Sequence, residues 1–194
     1  MSRYDHLIHT FKPDFIPPHQ TYFRGHDCMP DSNFYSNYRC YSTESFIDRW
    51  PTFHTEDELL CWVGYDLADP WGSFDAEIEF WIGEDRNNMV QYIITEPTIC
   101  RVPAYVWHCP LEYRRVGKPV YFQLVLKNGK FGTYSQKIDS DGKKHLVYSS
   151  FVANRQCVYD SSKKCTLCGK CRATEDAVVP KSAAEAMEMV KSGM

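Results

Sequence analysis

Between residues 46 and 151 apolar and polar positions alternate in short runs bounded by turn-formers. Asp75–Gly83 (DAEIEFWIG) puts Ile78, Phe80 and Ile82 on one face and Glu77, Glu79 and Trp81 on the other, while Glu58–Gly64 (ELLCWVG) is a short apolar run closed by glycine. Met89–Thr95, Thr98–Val102 and Val120–Leu126 repeat the pattern. Arg86-Asn-Asn, Glu96-Pro and Val116-Gly-Lys-Pro separate them. Asn128-Gly129 is one hairpin signal; Ser140-Asp-Gly-Lys143, between Tyr134–Ile138 and His145–Phe151, is another. Many short strands at even spacing predict a mainly β protein, an antiparallel sandwich or small barrel.

The flanks differ. Residues 1–45 hold no sustained period, and Pro13, Pro17, Pro18 and Pro30 break any long helix. Their many aromatic residues carry too much apolar surface for a disordered tail, so an ordered N-terminal arm packed on the barrel is expected. The barrel itself is expected over 46–155. The last segment, 156–194, holds a Cys-rich stretch and then Pro180–Lys191, where Ser182 and Glu185 form a capping box that predicts one short C-terminal helix.

Composition narrows the partners. The 194 residues carry a net charge of -3, which points neither to nucleic acid nor to an anionic membrane surface. No segment approaches the roughly 18 uninterrupted apolar residues of a membrane span, and the N-terminus has no apolar run after a basic start. A soluble, cytoplasmic protein with a small-molecule ligand is expected. Of the nine cysteines, Cys28, Cys40, Cys61, Cys100 and Cys109 are scattered and are read as mostly structural thiols.

Candidate chemistry lies in two β segments. Trp50–Gly64 carries His54 and Glu58 four residues apart, and Val102–His108 places His108 after a proline turn. Two imidazoles and one carboxylate can hold a divalent metal ion. Even spacing sets His54, Glu58 and Trp62 on one side of a strand, toward a barrel interior. The plainer alternative is three polar residues hydrogen-bonded near a barrel mouth without metal. Strand parity offers Trp62, Tyr121 and Gln123 as substrate-lining residues, and Glu77, Glu79 and Trp81 as a second face whose direction is open.

These segments resemble the two motifs of the metal-dependent cupin superfamily. His54-Thr-Glu-Asp-Glu58 followed by Gly64 is similar to the second half of the first motif. Pro103-Ala-Tyr-Val-Trp-His108 is similar to the centre of the second. The resemblance covers residues 46–127. It implies a cupin-type antiparallel β-barrel, the double-stranded β-helix or jelly roll, with His54, Glu58 and His108 as metal ligands, and pairing into a homodimer. The chain departs from the pattern at Thr52, where the first histidine would stand, at Tyr105, where a glycine would, and at Glu112, where an asparagine would. Three ligands then leave coordination positions open. Fe, Mn, Ni and Zn all suit the donor set.

A second metal site is expected at Cys157, Cys165, Cys168 and Cys171. The Cys-x-x-Cys-x-x-Cys run can bind Zn or an iron-sulfur cluster, and it resembles part of the bacterial ferredoxin motif without its fourth cysteine and proline. A disulfide is the third option. The reading that follows is a metal-dependent cupin enzyme, a lyase, isomerase or oxygenase, acting on a small polar molecule at a two-His-one-Glu centre. Its rivals are a non-catalytic ligand- or metal-binding cupin with a regulatory Cys tail, and a redox protein built on the cysteines.

Overall fold

A computed structural model describes residues 4–10, 12–16, 18–25, 29, 32–127, 131–138, 141–142, 144–151, 156–157 and 160–164. The strands are β1 (Asp14–Ile16), β2 (His19–Arg24), β3 (Tyr35–Tyr41), β4 (Ser45–Asp48), β5 (Thr52–Phe53), β6 (Glu58–Gly64), β7 (Ala76–Gly83) and β8 (Val90–Ile94). They continue with β9 (Thr98–Val102), β10 (Trp107–Val116), β11 (Val120–Leu126), β12 (Phe131–Ile138), β13 (Lys144–Phe151), β14 (Gln156–Cys157) and β15 (Asp160–Lys164). Apart from a 3-10 turn at Asp5–Leu7, helix plays almost no part among the described residues. No helix there is long and apolar enough to cross a membrane.

Two large antiparallel sheets result, besides a two-stranded β14-β15 pair. One runs β1-β2-β3-β11-β6-β9 and the other β13-β12-β5-β10-β7-β8, with β4 also pairing β10. The chain crosses between them as it goes: β3 in the first, β4 and β5 in the second, β6 back, β7 and β8 across, then β9, β10 and β11 in turn. This is the eight-stranded jelly-roll order, two facing sheets rather than a continuous closed barrel. The mainly β, jelly-roll expectation therefore holds. The expected C-terminal helix lies outside the described residues.

The core sits between the sheets. On β11, Val120, Phe122, Leu124 and Leu126 point inward, opposite Leu60 and Trp62 of β6 and facing Ile78, Phe80, Leu111 and Tyr113 of the second sheet. Trp62 is fully buried against Phe80 and Phe122, with ring centroids 6.0 and 5.5 Å away, and its indole N–H donates to the Tyr113 hydroxyl. A second cluster, Phe53 and Trp107 with Met89, Tyr105 and Tyr134, covers the outer side of β5 and β10.

One expectation changes, and two features extend what the sequence indicates. Residues read as an arm contribute β1 to β3, and β3 is an inner strand paired to both β2 and β11. Asn128-Gly129 does not close a hairpin: β11 and β12, on either side of it, belong to different sheets, whereas Ser140–Lys143 does join the paired β12 and β13. Finally, β10 extends well past His108, through a bulge. His108 pairs with Ile82 but Leu111 with Phe80, so one extra residue is accommodated at Cys109, whose φ is 71°. The bulge lets two residues three apart both face inward.

Gly64 ends β6 where the chain returns against itself. A methyl group there would lie 2.1 Å from Ser73 Oγ and 2.7 Å from both Phe74 N and Pro70 O. Two of these contacts are backbone and cannot rotate away. Gly64→Ala is expected to lower unfolding stability by about 1–3 kcal/mol, read as a lower urea midpoint with unchanged m-value; an unchanged midpoint would show that the 65–74 loop can shift.

Candidate metal centre

His54, Glu58 and His108 come together from both sheets. His54 follows β5 in the second sheet, Glu58 opens β6 in the first, and His108 lies on β10 opposite Thr52. The expectation that His54 and Glu58 share one strand is therefore corrected. The turn between them crosses the sandwich, and the two side chains meet across it rather than by parity. Glu58 and Trp62 do share the inward face of β6.

The geometry is tight. His54 Nε2 lies 3.5 Å from Glu58 Oε1 and His108 Nε2 lies 3.3 Å from Glu58 Oε2. One donor atom from each residue falls within 4.8 Å of the others, and the imidazole centroids are 5.0 Å apart. All three are buried, at 3%, 2% and 3% exposure.

Backbone carbonyls fix the rings. His54 Nδ1 meets the Gly132 carbonyl at 2.6 Å and His108 Nδ1 meets that of Val106 at 3.1 Å. A carbonyl only accepts, so each Nδ1 carries a proton and donates it. Each Nε2 is then free to present a lone pair toward Glu58. Two lone pairs and a carboxylate turned on one another repel unless a cation stands among them, either a proton or a metal ion.

Without metal, a proton does this work. Burial alone would lower the His54 pKa, but the Glu58 carboxylate and its hydrogen bond outweigh burial and raise it above the ordinary value. Burial pushes the Glu58 carboxyl up, yet the two imidazoles, His54 foremost, bring it below its usual range. His108 falls below its usual value because burial, with charge on His54, outweighs attraction to Glu58. The buried Asp48 adds weaker negative charge near both rings.

The donor set fits a metal ion better than it fits one proton. Donors held about 2.0–2.2 Å from one ion stand somewhat over 3 Å apart, as the 3.3 and 3.5 Å separations do. Glu58 Oε2 is buried and has no hydrogen-bond partner among the described residues. One proton on His54 leaves that oxygen unsatisfied, whereas an ion would satisfy it.

Other predicted residues fall elsewhere. Trp62 is a core residue whose N–H is taken by Tyr113. Tyr121 and Gln123 alternate with the inward Phe122 and Leu124, so they lie on the outer face of the first sheet, where Gln123 donates to the Tyr38 hydroxyl and Tyr121 stands 6.0 Å from the Tyr38 ring. The structure does not bring them to the triad. Glu77, Glu79 and Trp81 also face outward, with Glu79 nearly buried beneath Arg114 and hydrogen-bonded by Trp81. Cys157 is in β14, while Cys28, Cys165, Cys168 and Cys171 lie outside the described residues.

Sequence reading missed Arg39. Paired with Phe122, it points into the sandwich, donating to Asn37 Oδ1 at 3.0 Å and to the Tyr41 hydroxyl at 3.2 Å, with no carboxylate partner among the described residues. A charged residue alternating with Tyr35, Asn37 and Tyr41 was the available signal. Arginine's habit of lining outer strand faces obscured it.

No protein-family model matches the chain, and no curated protein does. Solved structures do resemble it. A variant of oxalate decarboxylase from Bacillus subtilis aligns with a TM-score of 0.45 at 14% identity, over 64% of this chain and 30% of that one. Recombinant oxalate oxidase in complex with glycolate gives 0.45 at 10%, over 64% and 61%. Peruvianin-I, a cysteine peptidase from Thevetia peruviana latex, gives 0.48 at 11%, over 66% and 76%. The chain thus spans less than two thirds of the first two. Likenesses this distant carry no chemistry across.

Protons and metal compete for His54 Nε2. Since the metal-free His54 pKa is raised above 6.5, metal uptake at pH 6.5 must displace a proton, and affinity should climb with pH until that raised pKa is passed. Calorimetric titration with Zn or Mn ions in two buffers of different ionisation enthalpy should show proton release at pH 6.5 that fades at higher pH. Buffer-independent heats at pH 6.5 would mean that His54 is not the proton carrier.

Proposed function

We propose that this chain is a metal-dependent, cupin-type enzyme that works on a small polar molecule at an ion held by His54, Glu58 and His108. The observation that carries the reading is the mutual orientation of the three side chains, with both imidazoles turned Nε2-first toward a buried carboxylate and their Nδ1 protons spent on backbone carbonyls. That arrangement supports neutral ligands of fixed tautomer, with Glu58 neutralising part of the ion's charge. A bound divalent ion would supply Lewis acidity or an oxygen-binding centre, with positions left open because the described residues bring no fourth ligand to the cluster.

The chain's own residues set the rest. His54 and His108 hold their rings rigidly, and Glu58 bridges the sheets. The inward Arg39, held by Asn37 and Tyr41, supplies a positive charge suited to an acidic group on the ligand. The fully enclosed donors also favour a second reading, a module that binds a metal or small ligand without turnover. The cysteines Cys157, Cys165, Cys168 and Cys171 are carried as a Zn or iron-sulfur site, with the choice made by colour, since a Zn site is colourless. Cytoplasmic location and a homodimer remain part of the same proposal.

Metal identity and stoichiometry on anaerobically purified protein test both sites together. His54→Ala with His108→Ala should abolish one metal equivalent, a larger loss than the roughly 10- to 100-fold weakening that follows removal of an outer hydrogen-bond partner. Cys165→Ser should remove a different equivalent. Equal metal content in wild type and the double-histidine variant would eliminate the barrel site.

A further inference from the structure

Two threonine hydroxyls beside the triad have no hydrogen-bond partner among the described residues. Thr52 is the cross-strand partner of His108 and precedes His54 by two residues, so it shares their inward face and lies directly against the His108 ring position. Across β5, Thr52 pairs with Ser135 and Phe53 with Tyr134, a register that places Thr133 opposite His54; the contact between His54 Nδ1 and the Gly132 carbonyl anchors this alignment. Thr133 shares the inward face with Ser135. Thr52 and Thr133 are each 2% exposed, and the Oγ1 of each has no hydrogen-bond partner among the described residues.

A buried hydroxyl left unpaired costs about 1–3 kcal/mol, whereas valine would fill the same volume without that penalty. Two such hydroxyls, plus the orphaned Glu58 Oε2, flank the same pair of imidazoles. A metal ion accounts for the Glu58 oxygen. It does not account for the threonines, because a neutral alcohol is a poor ligand for a site already supplied with imidazole and carboxylate. What satisfies a rotatable hydroxyl is a hydrogen-bonding oxygen close by, and the ion's open positions are where such an oxygen would sit.

Building on the metal reading, we propose that Thr52 and Thr133 are positioning residues, a pair of hydroxyls that hold an oxygen-donor ligand, the carboxylate of a small acid or a water that it replaces, in the open positions beside His54, Glu58 and His108. Thr52 stands two residues before His54 where a further imidazole could have closed the site. A hydroxyl there keeps the position open and recognises what fills it.

Cobalt-loaded protein with acetate as the probe tests this, in Thr52→Val, Thr133→Val, the double variant and the corresponding serine variants. The valine variants should take up as much cobalt as wild type does, with an altered visible spectrum and acetate affinity lowered about tenfold for each hydroxyl removed. The serine variants should restore both readouts, which a packing role would not produce. Wild-type spectrum and acetate affinity in the double valine variant would overturn the inference, as would loaded wild-type protein that does not bind acetate. Loss of cobalt from the valine variants would make the hydroxyls ligands and also overturn it. Failure of wild type to take up cobalt at all would instead bring down the metal reading, and this inference with it.

Discussion

The buried Glu58 carboxylate is the constraint around which the sandwich is arranged. At 2% exposure it has lost its water, and it is tolerable only because two imidazoles face it from the opposite sheet. Removing the His54 ring, which carries the proton when no metal is bound, would leave the carboxylate buried without its charge partner, which typically costs several kcal/mol. Glu58 belongs to the first sheet and both histidines to the second. Whatever cation sits among them therefore fastens the two layers together, and the same contact that threatens the core becomes a clasp across it.

Holding that clasp requires irregular backbone at two points. The bulge at Cys109 lets His108 face the carboxylate while Leu111 still reaches the core. The turn that delivers β10 carries Tyr105 at a φ of 66°, with its amide donating to the His54 carbonyl at 2.7 Å. The left-handed region costs a non-glycine residue roughly 1–2 kcal/mol. Glycine would adopt this conformation without that cost. Tyr105 accepts the strain and packs its ring 6.2 Å from Phe53.

Strands with clean alternation, Glu58–Gly64, Thr98–Val102 and Val120–Leu126, are legible in the sequence to the residue. The three candidate ligands are legible too, because histidine and glutamate inside apolar strands have few other uses. What could not be read was orientation. The two bulges of β10 break its period, and Glu112, Arg114 and Arg115 make it look like a surface loop although it is the central strand of its sheet. Tyr121 and Gln123 could have faced either way until the register with β3 and β6 fixed Phe122 inward. Thr52 was visible only as a missing histidine; that its hydroxyl is buried and unpaired is a property of packing, not of spacing.

The polar groups around the triad are what the proposed binding site would draw on. A centre meant only to staple two sheets would gain from valine at positions 52 and 133 and from a tyrosine or leucine in place of Arg39, since polar groups without partners weaken a core. Among the described residues, Thr52 Oγ1, Thr133 Oγ1 and Glu58 Oε2 have no hydrogen-bond partner, and the inward Arg39 guanidinium donates to Asn37 and Tyr41. On the proposed reading, a compact molecule with several oxygens and a negative charge would satisfy them. Near-complete burial of the triad would then set an upper limit on the size of such a guest, which would have to fit among these side chains rather than lie across a surface.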